Sequence, residues 1–284
     1  MNKNKRRTIL MVLLLTQGLV LLGILLSLRS FGREQFFGTY QFQAQEERIL
    51  AAKGQLEINN PLGSITIQGT SREDIFLRSH KRVFGRKEAE AAAALEQLQI
   101  VEEIIDDLLI IQVLPPQGES RDQVHLELEI PIRTNLDINS SLGQVTVAHL
   151  EGDSRIRAQL GEVEVTDMEG NLDIQGGMGI IRLRDIKGKD YLRLQANMGS
   201  IDFTGQLATE NWLEANMGHI SLNIPRSSAF TIGAIYPMGN LEHDFPFTGQ
   251  ETSHRLQGQI GQGPIQGQLE IISSMGEISI KGSD

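Results

Sequence analysis

The sequence predicts an all-β fold: a parallel β-solenoid with about 19 residues per coil, one short helix in its N-terminal part, and an N-terminal transmembrane helix ahead of it. Three observations carry this. A Leu-Gly or Met-Gly pair recurs at Gly143, Gly161, Gly179, Gly199, Gly218, Gly239 and Gly276. Alternating apolar residues follow each pair, as in Val145 and Val147 or Ile201 and Phe203. A second alternating pair precedes most of them, as in Leu136 and Ile138 or Leu192 and Leu194.

The chain opens with Lys3, Lys5, Arg6 and Arg7, then runs uncharged from Thr8 to Leu28. Those 21 residues reach about 31 Å as a helix, close to the thickness of a bilayer core. A cleaved signal peptide would have a shorter apolar region and small residues at its cleavage site; Leu28 and Ser30 fit that poorly. Residues 1–29 are therefore expected to be a cytoplasmic tip and an uncleaved anchor, with the basic cluster inside and the body outside the cell membrane. Residues 30–39 are expected to be a juxtamembrane linker. Tyr40 and Phe42 alternate with polar residues and read as the start of the first strand.

Residues 40–133 form the N-terminal part of the β domain. Leu56, Ile58, Leu62-Gly63, Ile65 and Ile67 repeat the coil pattern in full. Ile75 to Val83, Leu108 to Leu114 and Val124 to Ile130 read as strands. Arg86 to Gln99, rich in Ala and Glu and free of Gly and Pro, reads as a helix. This part is expected to shield the open end of the stack.

Residues 134–284 are the regular repeats. Corner spacings from Gly143 to Gly239 are 18, 18, 20, 19 and 21. The final gap of 37 is expected to hold two periods, with a degraded corner at Gly258. One such unit cannot bury its own apolar face, whereas coils stacked about 4.8 Å apart pair every backbone group and align apolar ladders. Antiparallel hairpins would not need so constant a phase. The glycine is expected at each corner for its positive φ or close backbone approach. The preceding Leu or Met is expected to point inward and fill the corner. Outward columns alternate in sign: Asp137, Arg155, Asp173 and Arg193, then Glu164, Arg182 and Asp202. Asn197 and Asn216 fall where an amide ladder would form.

Composition excludes several classes of function. Net charge is −10; without the five cations of the first 29 residues, 21 basic and 36 acidic residues leave −15. Nucleic acid is not expected as a partner. There is no cysteine, so disulfides, thiolate metal sites and thiol nucleophiles are absent. Aromatics are 5% of the chain, with a single Trp212. The six histidines, His80, His125, His149, His219, His243 and His254, show no metal-ligand spacing. Gly176-Gly177-Met178-Gly179 resembles the start of a calcium-binding β-roll repeat, but Ile181 stands where the ion would need an Asp. No phosphate loop or nucleophile elbow appears. No catalytic, cofactor-binding or metal residue is assigned.

The segment Leu56-Glu-Ile58-Asn-Asn-Pro-Leu62-Gly63-Ser-Ile65-Thr-Ile67, a helix-bearing insertion, Val124-His-Leu126-Glu-Leu128-Glu-Ile130-Pro131 and the repeats beyond resemble a bacterial "putative adhesin" family of β-solenoid domains. The resemblance covers residues 40–282. It implies a cell-envelope location and no known activity; some relatives are linked to envelope-stress signalling. The expected function is a non-catalytic, membrane-anchored surface for binding, adhesion or scaffolding, with an envelope protein or glycan as ligand. The alternatives are an envelope-stress regulator acting through a membrane partner, and a carbohydrate-active β-helix enzyme. The sequence does not fix the oligomeric state.

Overall fold

The computed structural model describes residues 29–36, 39–116 and 121–283. The apolar run from Thr8 to Leu28 lies outside the described residues, among which no helix is long and apolar enough to cross a membrane. The expected linker is strand for most of its length: Arg29–Phe36 pairs antiparallel with Thr39–Ala51.

Two parallel stacks of short strands face each other across an aliphatic core. The strand before each corner glycine pairs with its equivalents above and below, as Asn135–Leu142 does with Gln55–Leu62 and with Ser154–Leu160. The strand after each glycine does the same: Val145 lies beside Ile65 on one side and Val163 on the other. Inward positions fall into ladders, the first of which is interrupted by Ser154 and Asn211. Leu56, Leu136, Leu172, Leu192 and Leu269 belong to one face, Ile65, Val145, Val163, Ile181, Ile201, Ile220 and Ile278 to the other, and all are buried. Burial of one such side chain is worth about 1.5–3 kcal/mol, so the fold rests on many equal contributions.

The corners show why glycine recurs. Gly218 has φ +142°, and a Cβ added there would fall inside the van der Waals surface of the Gly199 carbonyl oxygen in the next coil. The Gly218 N–H meanwhile donates to the Met275 carbonyl at 3.0 Å. Positive φ and a close backbone neighbour act together at this position.

The residue before the glycine does not fill the corner. Leu142, Met178, Met198, Met217 and Met275 are 42–45% exposed, and Met238 is 64% exposed. The expectation of inward corner residues is overturned. The inward position is three before the glycine, and it carries small residues: Ser140, Ala158, Gly176, Ala196, Ala215 and Ser273. In the central coils the space is tight, since a Cβ on Gly176 would press on the Ile181 side chain at 3.3 Å, whereas the corners at Gly63 and Gly239 bury the larger Asn60 and Tyr236 at this position. The chain then turns before a further inward position can occur, and the Leu or Met is left on the outer edge.

A second irregularity was not read from the sequence. Six residues after successive corners, His149, Asp167 and Asp185 adopt φ of 57°, 51° and 55°, and Gly205 adopts 145°. Simple alternation would turn these residues inward. The left-handed residue instead passes that place to the next one, and Leu150, Met168 and Ile186 are buried. Asp, His and Gly are among the residues that tolerate this region best. A fixed column of such types was the available signal.

The stack order departs from chain order at both ends. Gly267–Ser283 inserts between the Gly218 and Gly239 coils, pairing with Glu210–Met217 and Ile220–Pro225 on one side and Phe230–Ile235 and Met238–His243 on the other. The expected corner at Gly258 is not one. Arg255–Ile260 runs antiparallel between Phe230–Ile235 and Phe247–Thr252, with Gly258 opposite Gly249. The glycine serves close strand approach there rather than a turn.

At the other end the parallel stack gives way to antiparallel strands. Gln99–Ile105, which the sequence reading missed, pairs with Leu108–Leu114. Asp74–Gly85 lies between Thr39–Ala51 and Gln123–Pro131. The helix, α1 (Glu88–Gln97), buries Ala91 and packs on Thr39–Ala51 and Asp74–Gly85. Arg48 bridges the two faces, donating to the Ile100 carbonyl at 3.1 Å and pairing with Glu102 and Glu46 at 2.6 Å each. Lys81, almost fully buried, pairs with Glu46 at 2.7 Å. The end expected to be shielded is thus closed by a polar network.

Candidate binding surface

The outer faces carry three kinds of ladder. The first is ionic. Arg155 lies 3.7 Å from Asp137 and 3.5 Å from Asp173, as the alternating column predicts. In the other column Arg182 pairs with Glu162 and Asp202, and Glu164 is taken by Arg184 one step along its strand. Apart from Asp173 these side chains keep partial access to solvent, so each pair adds little stability. They neutralise one another and leave no concentrated charge.

The second is amide. Asn216 Nδ2 donates to Asn197 Oδ1 at 3.3 Å, as expected, and Ser274 Oγ continues the line to Asn216 Oδ1 at 3.4 Å. At the opposite corner Asn135, Asp153, Asn171 and Asp190 form a longer run, in which the side-chain oxygens of the first three each accept a backbone N–H from the next coil at 2.8–3.2 Å.

The third is apolar and continuous. Leu62, Leu142, Leu160, Met178, Met198, Met217, Met275 and Met238 stand in register across successive coils. Seven steps of about 4.8 Å make a ridge roughly 34 Å long. The residues just before it include Ser141, Gln159, Asn197, Asn216 and Ser274, none of them charged. The sequence reading named every one of these Leu and Met residues but turned them inward.

The histidines separate into pairs. His80 and His125 face each other on adjacent strands and line one cavity of about 430 Å³ with Ser64, Arg82 and Glu127. Burial holds His125 below the usual histidine range, and the Arg82 and His80 charges push the same way, against Glu127. Its Nδ1 accepts from the Ser64 N–H at 3.2 Å and lies 2.8 Å from Ser64 Oγ. The same contact recurs between Ser200 Oγ and His219 Nδ1 at 2.9 Å, with Asp202 3.6 Å from His219 Nε2. Ser64, Ser200 and His219 each follow a corner glycine, and His125 stands in the equivalent place after Val124 on the neighbouring strand. Ladder adjacency explains them, and Ser200 is buried. His149 Nδ1 lies 2.6 Å from Asp167, and His243 hydrogen-bonds the Phe245 carbonyl at 2.9 Å. Among the described residues no group of three His, Cys, Asp or Glu is placed to hold a metal ion.

The profile of the family described as "Toastrack DUF4097" matches residues 121–281. No curated protein matches the sequence. Solved structures with which the chain aligns include a "putative adhesin" from Bacteroides fragilis, at 12% identity and TM-score 0.40, covering 84% of this chain and 97% of that one. A "putative cell adhesion protein" from Clostridium sporogenes aligns at 13% identity and TM-score 0.34, covering 84% and 100%. A "putative lipid binding protein" from Parabacteroides distasonis aligns at 11% identity and TM-score 0.37, covering 83% and 96%.

Proposed function

We propose, for a chain that belongs to the Toastrack DUF4097 family, a non-catalytic role as a binding or scaffolding surface of the cell envelope, anchored in the membrane by the N-terminal apolar segment. The observation that carries this is the exposed Leu/Met ridge. Core-forming residue types held outward in register over the length of the stack are the kind of apolar patch that marks an interaction site. Methionine adapts its shape to a partner at little cost.

The occupant is an uncharged apolar face of another envelope protein. Anionic headgroups would call for flanking Lys and Arg, whereas Ser, Asn and Gln flank most of the ridge and Glu162 and Glu277 lie along it. The body beyond the first 29 residues is itself strongly acidic.

The test places a photoreactive methionine at position 198 in cells carrying the full chain. A discrete protein adduct is expected, and it should disappear when Met178, Met217 and Met275 are changed to Ser. Labelling confined to lipid overturns the reading. An adduct to a second copy replaces the partner with self-assembly.

A further inference from the structure

On the outer face of the Gly199 and Gly218 coils the ionic ladder stops. The column Asp137, Arg155, Asp173, Arg193 continues with Trp212 and then Glu270. Arg155 is held between two carboxylates. Arg193, Glu210 and Glu270 form no ion pair among the described residues. They surround the single tryptophan of the chain, which is half-buried on the outer face rather than in the core. Tyr191, 39% exposed, lies on the neighbouring strand, diagonal to Trp212. At that offset neighbouring residues are about 7–8 Å apart, within reach of aromatic side chains. Tyr191, Arg193, Glu210, Trp212, Gln268 and Glu270 line one shallow cavity of about 250 Å³. Glu270 is seated over Gly233, which has no side chain to displace its carboxylate.

From this we infer a saccharide-binding site, with Trp212 and Tyr191 as the platform for a neutral pyranose ring. The chemistry selects the class. An aromatic face takes the C–H-rich face of a sugar ring. Around it stand two acceptor-only carboxylates, a donor-only guanidinium and an amide that does both. Sugar hydroxyls donate and accept, and so satisfy all four. A free anion would meet two carboxylates, and a cation would meet Arg193. A small set of polar groups around an apolar platform is how ligand sites fix orientation. The inference is independent of the Leu/Met ridge, which lies along the corner of the same coils.

Because Trp212 is the only tryptophan, its emission reports on this site alone. Full-length protein in a detergent without a sugar headgroup is titrated with cellotriose, maltotriose and the N-acetylglucosamine trisaccharide, with calorimetry as a second readout. At least one should give a saturable emission change with matching heat. Glu270→Gln and Tyr191→Ala, both exposed positions, should weaken it at least tenfold, while Met198→Ser leaves it unchanged. No response to any of the three at about 5 mM, or equal binding by both site variants, overturns the inference. Either result leaves the photolabelling of the ridge unaffected, so the two readings fail separately.

Discussion

The regular coils and the N-terminal cap solve the same problem by different chemistry. From Gly143 to Gly218 the interior is filled mainly by aliphatic ladders, with a few small polar side chains such as Ser154 and Asn211, and charged groups stay on the outer columns. In the cap, between Thr39–Ala51 and Gln99–Ile105, charged side chains turn inward and close the end. A repeat can spread its stability over many equivalent contacts because every coil has a neighbour on both sides. A terminal coil has one neighbour, and the cap must bury strand ends where no further ladder exists.

The largest effect that tests this contrast is at a corner. Gly218→Val forces a side chain into left-handed backbone against the Gly199 carbonyl, and should cost at least ~3 kcal/mol. Urea unfolding at neutral pH measures it, and a loss under ~1 kcal/mol would show that the coils can spread at a corner.

Lys81→Met addresses the cap. It removes one of two cations that hold Glu46, while Arg48 remains, and should cost about 2 kcal/mol. The pH dependence follows in sign. Burial raises the Glu46 pKa, but hydrogen bonds and charge from Lys81 and Arg48 outweigh it and hold the group below its ordinary 4.5. A depressed carboxylate stabilises the fold above its unfolded value, and that contribution is lost as pH falls below about 4.5. In the variant burial is less opposed, so stability should begin to fall at higher pH. Urea midpoints at pH 7 and pH 4 for both proteins check this; parallel losses would sink it.

The smallest effect sharpens the comparison within one strand. Met198→Asp should cost less than about 1 kcal/mol, because the side chain already meets solvent. Leu194→Asp, four residues earlier and fully buried, should cost several times more. Similar losses in thermal melts would put Met198 in the core after all.

What was legible in the sequence follows the same division. Period, corner glycines, both apolar ladders and the alternating charge column were all readable, because a repeat states each constraint many times. The facing of the Leu/Met column was not. Alternation continues inward from Leu192 through Leu194 and Ala196, and only the turn geometry decides that Met198 comes out. The left-handed column at His149, Asp167 and Asp185 escaped because one left-handed residue shifts the pattern without breaking it. In the cap nothing repeats. Arg48 and Glu102 are 54 positions apart, and no spacing rule joins them. Trp212 was visible as a scarce residue, but its place on an outer column required knowing which strands are neighbours.

The insertion of Gly267–Ser283 into the interior of the stack also sets an order of assembly. A chain emerging from its N-terminal side can add the Gly143, Gly161, Gly179, Gly199 and Gly218 coils one upon another. The next segment in sequence, Phe230–Ile235 with Met238–His243, cannot then settle on the Gly218 coil in its final place. It must wait one rung away until Gly267–Ser283 arrives and fills the slot. Long-range closure of this kind is slow. Until it happens both the Gly218 coil and the Gly239 coil present unpaired edges, so Gly267–Ser283 acts as the latch that removes two aggregation-prone edges at once.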